Sequence, residues 1–161
     1  MFIKHLTKEQ ALQKLKHYCG YQERCHNEVK EKLWQLKVSK KEHDEIIASL
    51  IEDAYLNEER FAVLFAGGKF RVKQWGRVKI KYELKQKQVS EYSIKKALTR
   101  INEEDYLKTL LLLAKKKYAT LKNEQWMIRK KKTIDYLAQK GYEHGLIANT
   151  LETITGDNKN K

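Results

Sequence analysis

The sequence predicts an all-α protein made of three tandem three-helix repeats forming an elongated, curved body, and three observations carry that expectation. The 161 residues hold no Pro and only seven Gly, so the strongest helix breakers are nearly absent. β-Branched clusters are scarce, and nowhere does strict alternation of apolar and polar residues persist, which removes the usual strand signal. One apolar skeleton recurs three times along the chain, the mark of a repeat architecture.

The skeleton reads Val29, Leu33, Val38, His43, Ile47 and Leu50 in its first copy. At identical offsets the second copy is Ile80, Leu84, Val89, Ile94, Leu98 and Ile101, and the third is Thr133, Leu137, Tyr142, Ile147, Leu151 and Ile154. The opening i, i+4 pair and the closing i, i+4, i+7 triplet each lie along one helix face, with a break between them. His43 and Thr133, where the other copies carry Ile or Val, read as edge positions of the cores. Ser39 with Glu42 predicts a capping box at the first break, and Ser90 caps the second. Upstream of each pair stands one more helix: Thr7 with Gln10 opens the first, and Asn57 and Asn102 cap its two counterparts. The expected repeats are therefore residues 7–56, 57–101 and 102–154, with a polar, disordered tail over 155–161.

The net charge is +13 and the predicted pI about 9.6, a balance that favours polyanions (DNA, RNA or an acidic membrane surface), of which single- or double-stranded DNA is the expected partner. That charge is unevenly placed. Repeat one has nine Lys/Arg against nine Asp/Glu, repeat two twelve against four, and repeat three ten against seven. In the middle repeat Arg77, Lys81 and Lys85 follow an i, i+4, i+8 spacing and form one cationic stripe, opposite Ile80 and Leu84. Arg71, Lys73 and Lys79 extend it beside Trp75, a ring suited to stacking on a base or to plugging the helix junction. Such a surface neutralises phosphates without reading sequence. Lys115 and Lys116 with Lys117, and Arg129, Lys130 and Lys131 with Lys132, form further basic runs. Four consecutive helical residues span the helix circumference, so part of the last run must turn inward.

Other chemistry is poorly supported. His17, Cys19, Cys25 and His26 lack the two separated pairs of a zinc site, and Cys25, four residues before Val29, fits a buried helix face. Gly67-Gly68 has neither the further glycines nor the lysine of a phosphate loop, and marks a weak point or close packing in the fourth helix. No Ser/His/Asp order or carboxylate pair stands out. No catalytic residue, metal or cofactor is expected. No apolar stretch is long enough to span a membrane and no signal-peptide core is present, so a cytoplasmic monomer is expected.

Asp53-Ala-Tyr-Leu-Asn-Glu-Glu-Arg-Phe-Ala resembles the signature D-x-[YF]-[LI]-x-[DE]-x-R-[FY]-A, and the run Lys73 to Lys87 is similar to K-x-x-G-x-x-[RK]-I-x-x-E-L-x-x-K. Together they resemble the core of the RecX family of bacterial regulatory proteins. Asp53, Tyr55, Leu56, Arg60, Phe61, Gly76, Ile80 and Leu84 fall in register. The resemblance implies a partner, the RecA recombinase–DNA filament, whose growth, ATP hydrolysis and strand exchange are restrained by binding in its helical groove. Most of these motif residues read as structural: Tyr55, Leu56 and Phe61 at a repeat junction, Arg60 paired with Asp53, and Gly76 in a tight turn. Where the family commonly has Gly before an aromatic, repeat one has Lys37-Val38 and repeat two Gln88-Val89; only repeat three keeps Gly141-Tyr142. Two rival readings are a free-standing helix-turn-helix-like DNA binder, for which Tyr92, Lys95 and Lys96 offer no base-reading Arg/Asn/Gln cluster, and a protein-binding helical scaffold.

Overall fold

A computed structural model describes residues 5–156, and within them the chain is helical with no strand. The elements are α1 (Lys8–Tyr21), α2 (His26–Gln35), α3 (Lys40–Glu52), α4 (Glu58–Gly68), a π-helical turn (Lys69–Lys73), α5 (Arg77–Gln86), α6 (Glu91–Thr99), α7 (Glu103–Thr120), α8 (Trp126–Lys140) and α9 (His144–Thr155). The expected order of three helices per repeat is met. The carboxy-terminal tail is only partly described: Thr155 is the last residue of α9, Gly156 ends it with φ 72°, and residues 157–161 lie outside the described residues.

The recurring skeleton has a local cause. At the end of α2 the Lys37 N–H donates to the Trp34 carbonyl (3.0 Å) and the Val38 N–H to the Leu33 carbonyl (3.1 Å). The same two bonds close α5, from Gln88 to Lys85 and Val89 to Leu84, and α8, from Gly141 to Ala138 and Tyr142 to Leu137. Each is a Schellman ending, which needs one left-handed residue and sets an apolar side chain after the turn against one inside the helix. Leu33 with Val38, Leu84 with Val89, and Leu137 with Tyr142 are those pairs, all buried. The i, i+5 offset in the sequence is thus the spacing of a helix stop.

The chain divides into two compact units, and the middle repeat contributes to both. Unit 1 holds residues 1–65 and 84–97, of which those from 5 onward are described. Its core joins α1, α2 and α3 through Ala11, Leu15, Cys19, Val29, Leu33, Val38, Ile46, Ile47, Leu50 and Leu56. His43 is buried in this unit rather than at an edge, because its Nε2 is satisfied by the Val38 carbonyl at 2.9 Å and its ring packs edge-on to Trp34. At the start of α1, Thr7 Oγ1 accepts from the Gln10 N–H (3.1 Å) and Gln10 Oε1 from the Thr7 N–H (3.0 Å), completing the expected capping box. Ser39 does not do likewise: its side chain makes no cap bond, and the Glu42 N–H is satisfied by the Ser39 backbone carbonyl instead. Asn57 caps α4 and Ser90 caps α6 through their side-chain oxygens, while the Glu58 carboxylate accepts from the Ser90 N–H.

The expected Arg60–Asp53 pair is not formed. Arg60 Nε lies 2.5 Å from Glu23 and its guanidinium donates to the Ala54 carbonyl at 3.0 Å, whereas Asp53 faces Lys16 at 3.4 Å. Arg60 still fixes the turn into α4, because beside its pair with Glu23 it donates to the carbonyl of the left-handed Ala54 (φ 62°). Leu56 and Phe61 are buried, and Tyr55 stands partly exposed under the Lys16 ammonium.

Unit 2 holds residues 66–83 and 98–161, described as far as 156, and packs α7, α8 and α9 against one another. Asn102 caps α7 by accepting from the Asp105 N–H at 2.9 Å. Tyr106, Leu110, Ala114, Leu137, Tyr142, Ile147 and Leu151 form the buried surface of these helices. Thr133 is fully buried, not peripheral: its hydroxyl donates back to the Arg129 carbonyl at 2.9 Å, so the polar atom costs little. An aromatic series, Phe70 to Tyr106 (5.7 Å) to Tyr142 (5.1 Å), runs through the unit.

Candidate functional site

Gly67 and Gly68 end α4, and the backbone then widens into the π-helical turn, which stops at Gln74 in a left-handed conformation (φ 58°). The widened turn brings the Trp75 N–H to the Lys69 carbonyl at 3.2 Å, six residues back. It also sets the Lys69 ammonium 5.0 Å from the Trp75 ring centre, while Lys79 from the next helix approaches to 4.6 Å. Trp75 is thus a half-buried ring flanked by two ammonium groups, each attracted to its π-electrons. The Arg71 guanidinium folds over Gly67, whose missing Cβ would meet it at 2.7 Å. Single-turn π-helical insertions are frequent at functional sites because they re-aim side chains in this way.

A helix-end junction holds the turn in place. The first N–H groups of α5, which no intrahelical carbonyl can satisfy, point at the last carbonyls of α8: Gly76 to Lys140 at 2.8 Å and Val78 to Gly141 at 2.9 Å. Opposite ends of the two helix dipoles meet there. Backbones this close require glycine on both sides. A Cβ on Gly76 would stand 2.3 Å from the Gly141 oxygen, and one on Gly141, whose φ is 100°, would stand 2.3 Å from the Lys79 Cβ. Gly76 therefore serves close approach and not the tight turn expected of it. Lys140 Nζ and the Tyr142 hydroxyl complete the junction by donating to the carbonyls of Lys73 (3.0 Å) and Gln74 (2.9 Å).

Arg77 is the residue the structure takes out of the expected binding stripe and into a half-buried ion-pair network. Its guanidinium donates to Glu143 at 2.8 Å and to Glu103, and its side chain is 21% exposed. Its backbone N–H donates to the Tyr106 hydroxyl (3.0 Å), which in turn donates to Glu143, and its guanidinium lies 3.8 Å from the Tyr106 ring centre. Burial works against the Arg77 charge, but the carboxylates outweigh it and hold its pKa above the usual arginine value. Burial, reinforced by Glu143, also lifts the Tyr106 hydroxyl far above a normal phenol, and burial does the same for Tyr142. A charge so fully matched is unavailable to a phosphate.

The remaining expected cations fall into two sets. In unit 2, Arg71, Lys73, Lys79 and Lys81 form no ion pair with a described carboxylate, and Arg71, Lys73 and Lys81 are exposed. Lys85, in unit 1, pairs with Glu91 at 3.3 Å. In repeat three, Lys115 and Lys116 are exposed, Lys131 pairs with Asp135 (3.2 Å), and Lys130 lies 5.4 Å from the Trp126 ring centre. Arg129 turns inward, donating to the Tyr118 carbonyl at 2.8 Å with its guanidinium 3.6 Å from the Tyr118 ring centre, and so ties α7 to α8. Lys69 and Lys140 belong to the Trp75 cluster and were not singled out from sequence. No 3.6-residue spacing links Lys69 to Trp75, and only the π-turn brings them together.

Among the described residues no group of three His, Cys, Asp or Glu is placed to hold a metal. Cys19 and Cys25 are free and buried, and desolvation pushes both thiols up to about 11. Cys25 sits at the N-cap of α2 instead of inside the helix, its N–H donating to Glu28 at 3.3 Å. No described helix is long and apolar enough to cross a membrane.

Comparison with known proteins agrees with this arrangement. Residues 57–98 match the family description "RecX, second three-helix domain" and residues 103–151 match "RecX, third three-helix domain". The regulatory protein RecX of Bacillus cytotoxicus is 31% identical over 137 residues, covering 85% of this chain and 51% of that protein. RecX of Bacillus cereus is 28% identical over the same coverage. The chain spans about half the length of these curated relatives. In fold, it matches the crystal structure of RecX from Lactobacillus salivarius with a TM-score of 0.85 at 21% identity, covering 92% of this chain and 96% of that one. A second RecX crystal structure gives a TM-score of 0.83 at 21% identity, over 90% of this chain and 73% of that one. With two successive family domains and a repeat skeleton set by the same helix stops throughout, this chain belongs to the RecX family of regulatory proteins.

Proposed function

We propose that this chain is a monomeric, cytoplasmic regulator, without catalysis of its own, that binds the RecA–DNA filament and restrains its ATP hydrolysis and strand exchange. Family membership supports the RecA partner. The observation that carries the DNA contact is the Trp75 cluster, where a half-buried indole lies between Lys69 and Lys79, with the exposed Arg71 and Lys73 on the same π-helical turn and Lys81 two residues beyond Lys79. Arg71, Lys73, Lys79 and Lys81 form no ion pair with a described carboxylate, and such cations close to an aromatic ring suit a sugar–phosphate backbone with a base against the ring. Arg77 takes no part in that contact, so charge reversal there would test folding and not binding.

The deciding experiment titrates the protein into RecA-coated single-stranded DNA while ATP hydrolysis is followed, beside a naked-DNA binding control. Hydrolysis is expected to fall at protein concentrations too low to coat naked DNA. The Lys73→Glu/Lys79→Glu/Lys81→Glu variant should need about tenfold more protein for the same effect, with its helix content unchanged. If hydrolysis falls only as bare DNA saturates, the chain is a competing DNA binder and the filament reading fails. An unchanged triple variant would remove the cluster from the mechanism.

A further inference from the structure

The first repeat carries no net charge and none of the basic surface discussed above, yet a cleft bordered by cations lies on it. The cleft lies along α1 and α2, entirely within unit 1, and encloses about 480 Å³. That volume falls in the range of sites that bury a small ligand or a few residues of peptide. Its apolar lining comes from Tyr18, Tyr21 and Leu36, while Lys14, Arg24 and Lys32 stand around it and no carboxylate lines it. Nine acidic residues in this repeat balance nine basic ones, so their exclusion from the cleft is a local segregation of charge.

The cations are not equivalent. Arg24 is committed to the protein: it donates to the Tyr18 carbonyl at 3.1 Å, lies 3.7 Å from the Tyr18 ring centre, and approaches Glu28 at 3.6 Å. Lys14 and Lys32 form no ion pair with a described carboxylate, and Lys32 hangs 5.4 Å from the same ring. Tyr21, at the mouth, is 79% exposed. The result is an apolar hollow with two ammonium groups at its margin that have no described carboxylate partner.

We infer that this cleft docks a short acidic peptide segment of a protein partner, with one apolar side chain of that segment seated against Tyr18, Tyr21 and Leu36 and its carboxylates on Lys14 and Lys32. Charge complementarity selects an anion. A nucleic acid fits less well, because the first repeat is neutral as a whole and creates no long-range field to recruit a polyanion. The inference is independent of the Trp75 cluster, which lies in unit 2.

The test uses the full chain and a fluorescein-labelled Glu-rich peptide carrying a single central Phe, followed by anisotropy. Saturable binding is expected, weakened about tenfold in Lys14→Glu/Lys32→Glu and by a comparable factor when the peptide Phe is replaced by Ser. Tyr21→Ala, at a position too exposed to affect folding, should also weaken binding. Oligo-dT binding should be the same in wild type and in all these variants. Absence of saturable peptide binding, or equal affinity of the charge-reversed variant and wild type, would overturn the proposal. Parallel loss of oligo-dT and peptide binding would overturn it too, by assigning the cleft to the nucleic-acid surface.

Discussion

Lys37, Gln88 and Gly141 occupy the same position at the end of three equivalent helices, with φ of 58°, 61° and 100°. A left-handed residue with a Cβ costs about 1–2 kcal/mol, part of which glycine gives back through its greater freedom in the unfolded chain. Lys37→Gly and Gln88→Gly should therefore each stabilise the protein by roughly 0.5–1 kcal/mol in urea denaturation followed by circular dichroism. Gly141→Ala should do the opposite, by more than about 2 kcal/mol, since its Cβ would meet the Lys79 Cβ at 2.3 Å. If all three changes act alike, the helix stops are not what fixes these turns. The apolar pairs around the stops were legible as a repeat in the sequence. The stop itself was hidden in two copies, because Lys and Gln give no hint of a left-handed backbone.

At the scale of elements, the junction between α5 and α8 makes Arg77 a structural residue. The sequence placed it in register with Lys81 and Lys85, and the helix does carry all three at that spacing. Periodicity cannot reveal that Glu103 and Glu143, from helices far along the chain, converge on the first of them. Arg77→Ala would leave two carboxylates and the Tyr106 hydroxyl facing each other without their cation. A loss of about 2–4 kcal/mol in denaturation free energy is expected, against less than about 0.5 kcal/mol for Lys81→Ala. A double-mutant cycle with Glu143→Gln should give a coupling of about 1–3 kcal/mol. Additive effects would mean that the guanidinium and Glu143 act separately and that the junction rests on its backbone bonds alone. The capping residues Thr7, Asn57, Ser90 and Asn102 were readable because a cap is settled within four residues. Ser39 failed because its own carbonyl satisfied the same donor. Arg60 found Glu23 and not Asp53 because that partner comes from a segment more than 30 residues earlier.

For the whole molecule, the charge of +13 is a sum over cations of quite different availability. Arg77 and Arg129 are taken up inside unit 2, and Lys85, Lys96, Lys131 and Lys132 face carboxylates at the surface. Net charge thus overstates the number of phosphates the protein can neutralise, and the salt dependence of DNA binding measures the true number. For single strands the slope of log K against log salt is about −0.7 per phosphate neutralised. If Lys73, Lys79 and Lys81 each meet one phosphate, replacing all three with Ala should make the slope shallower by about 2. Reversal of Lys14 and Lys32 should leave it unchanged. The measurement is oligo-dT affinity across a salt series. A shallower slope in the unit 2 variant alone would place the electrostatic contact at the Trp75 cluster. An unaltered slope in that variant, with binding still salt-sensitive, would move the phosphates to other cations, of which Lys115 and Lys116 are exposed and the next to replace.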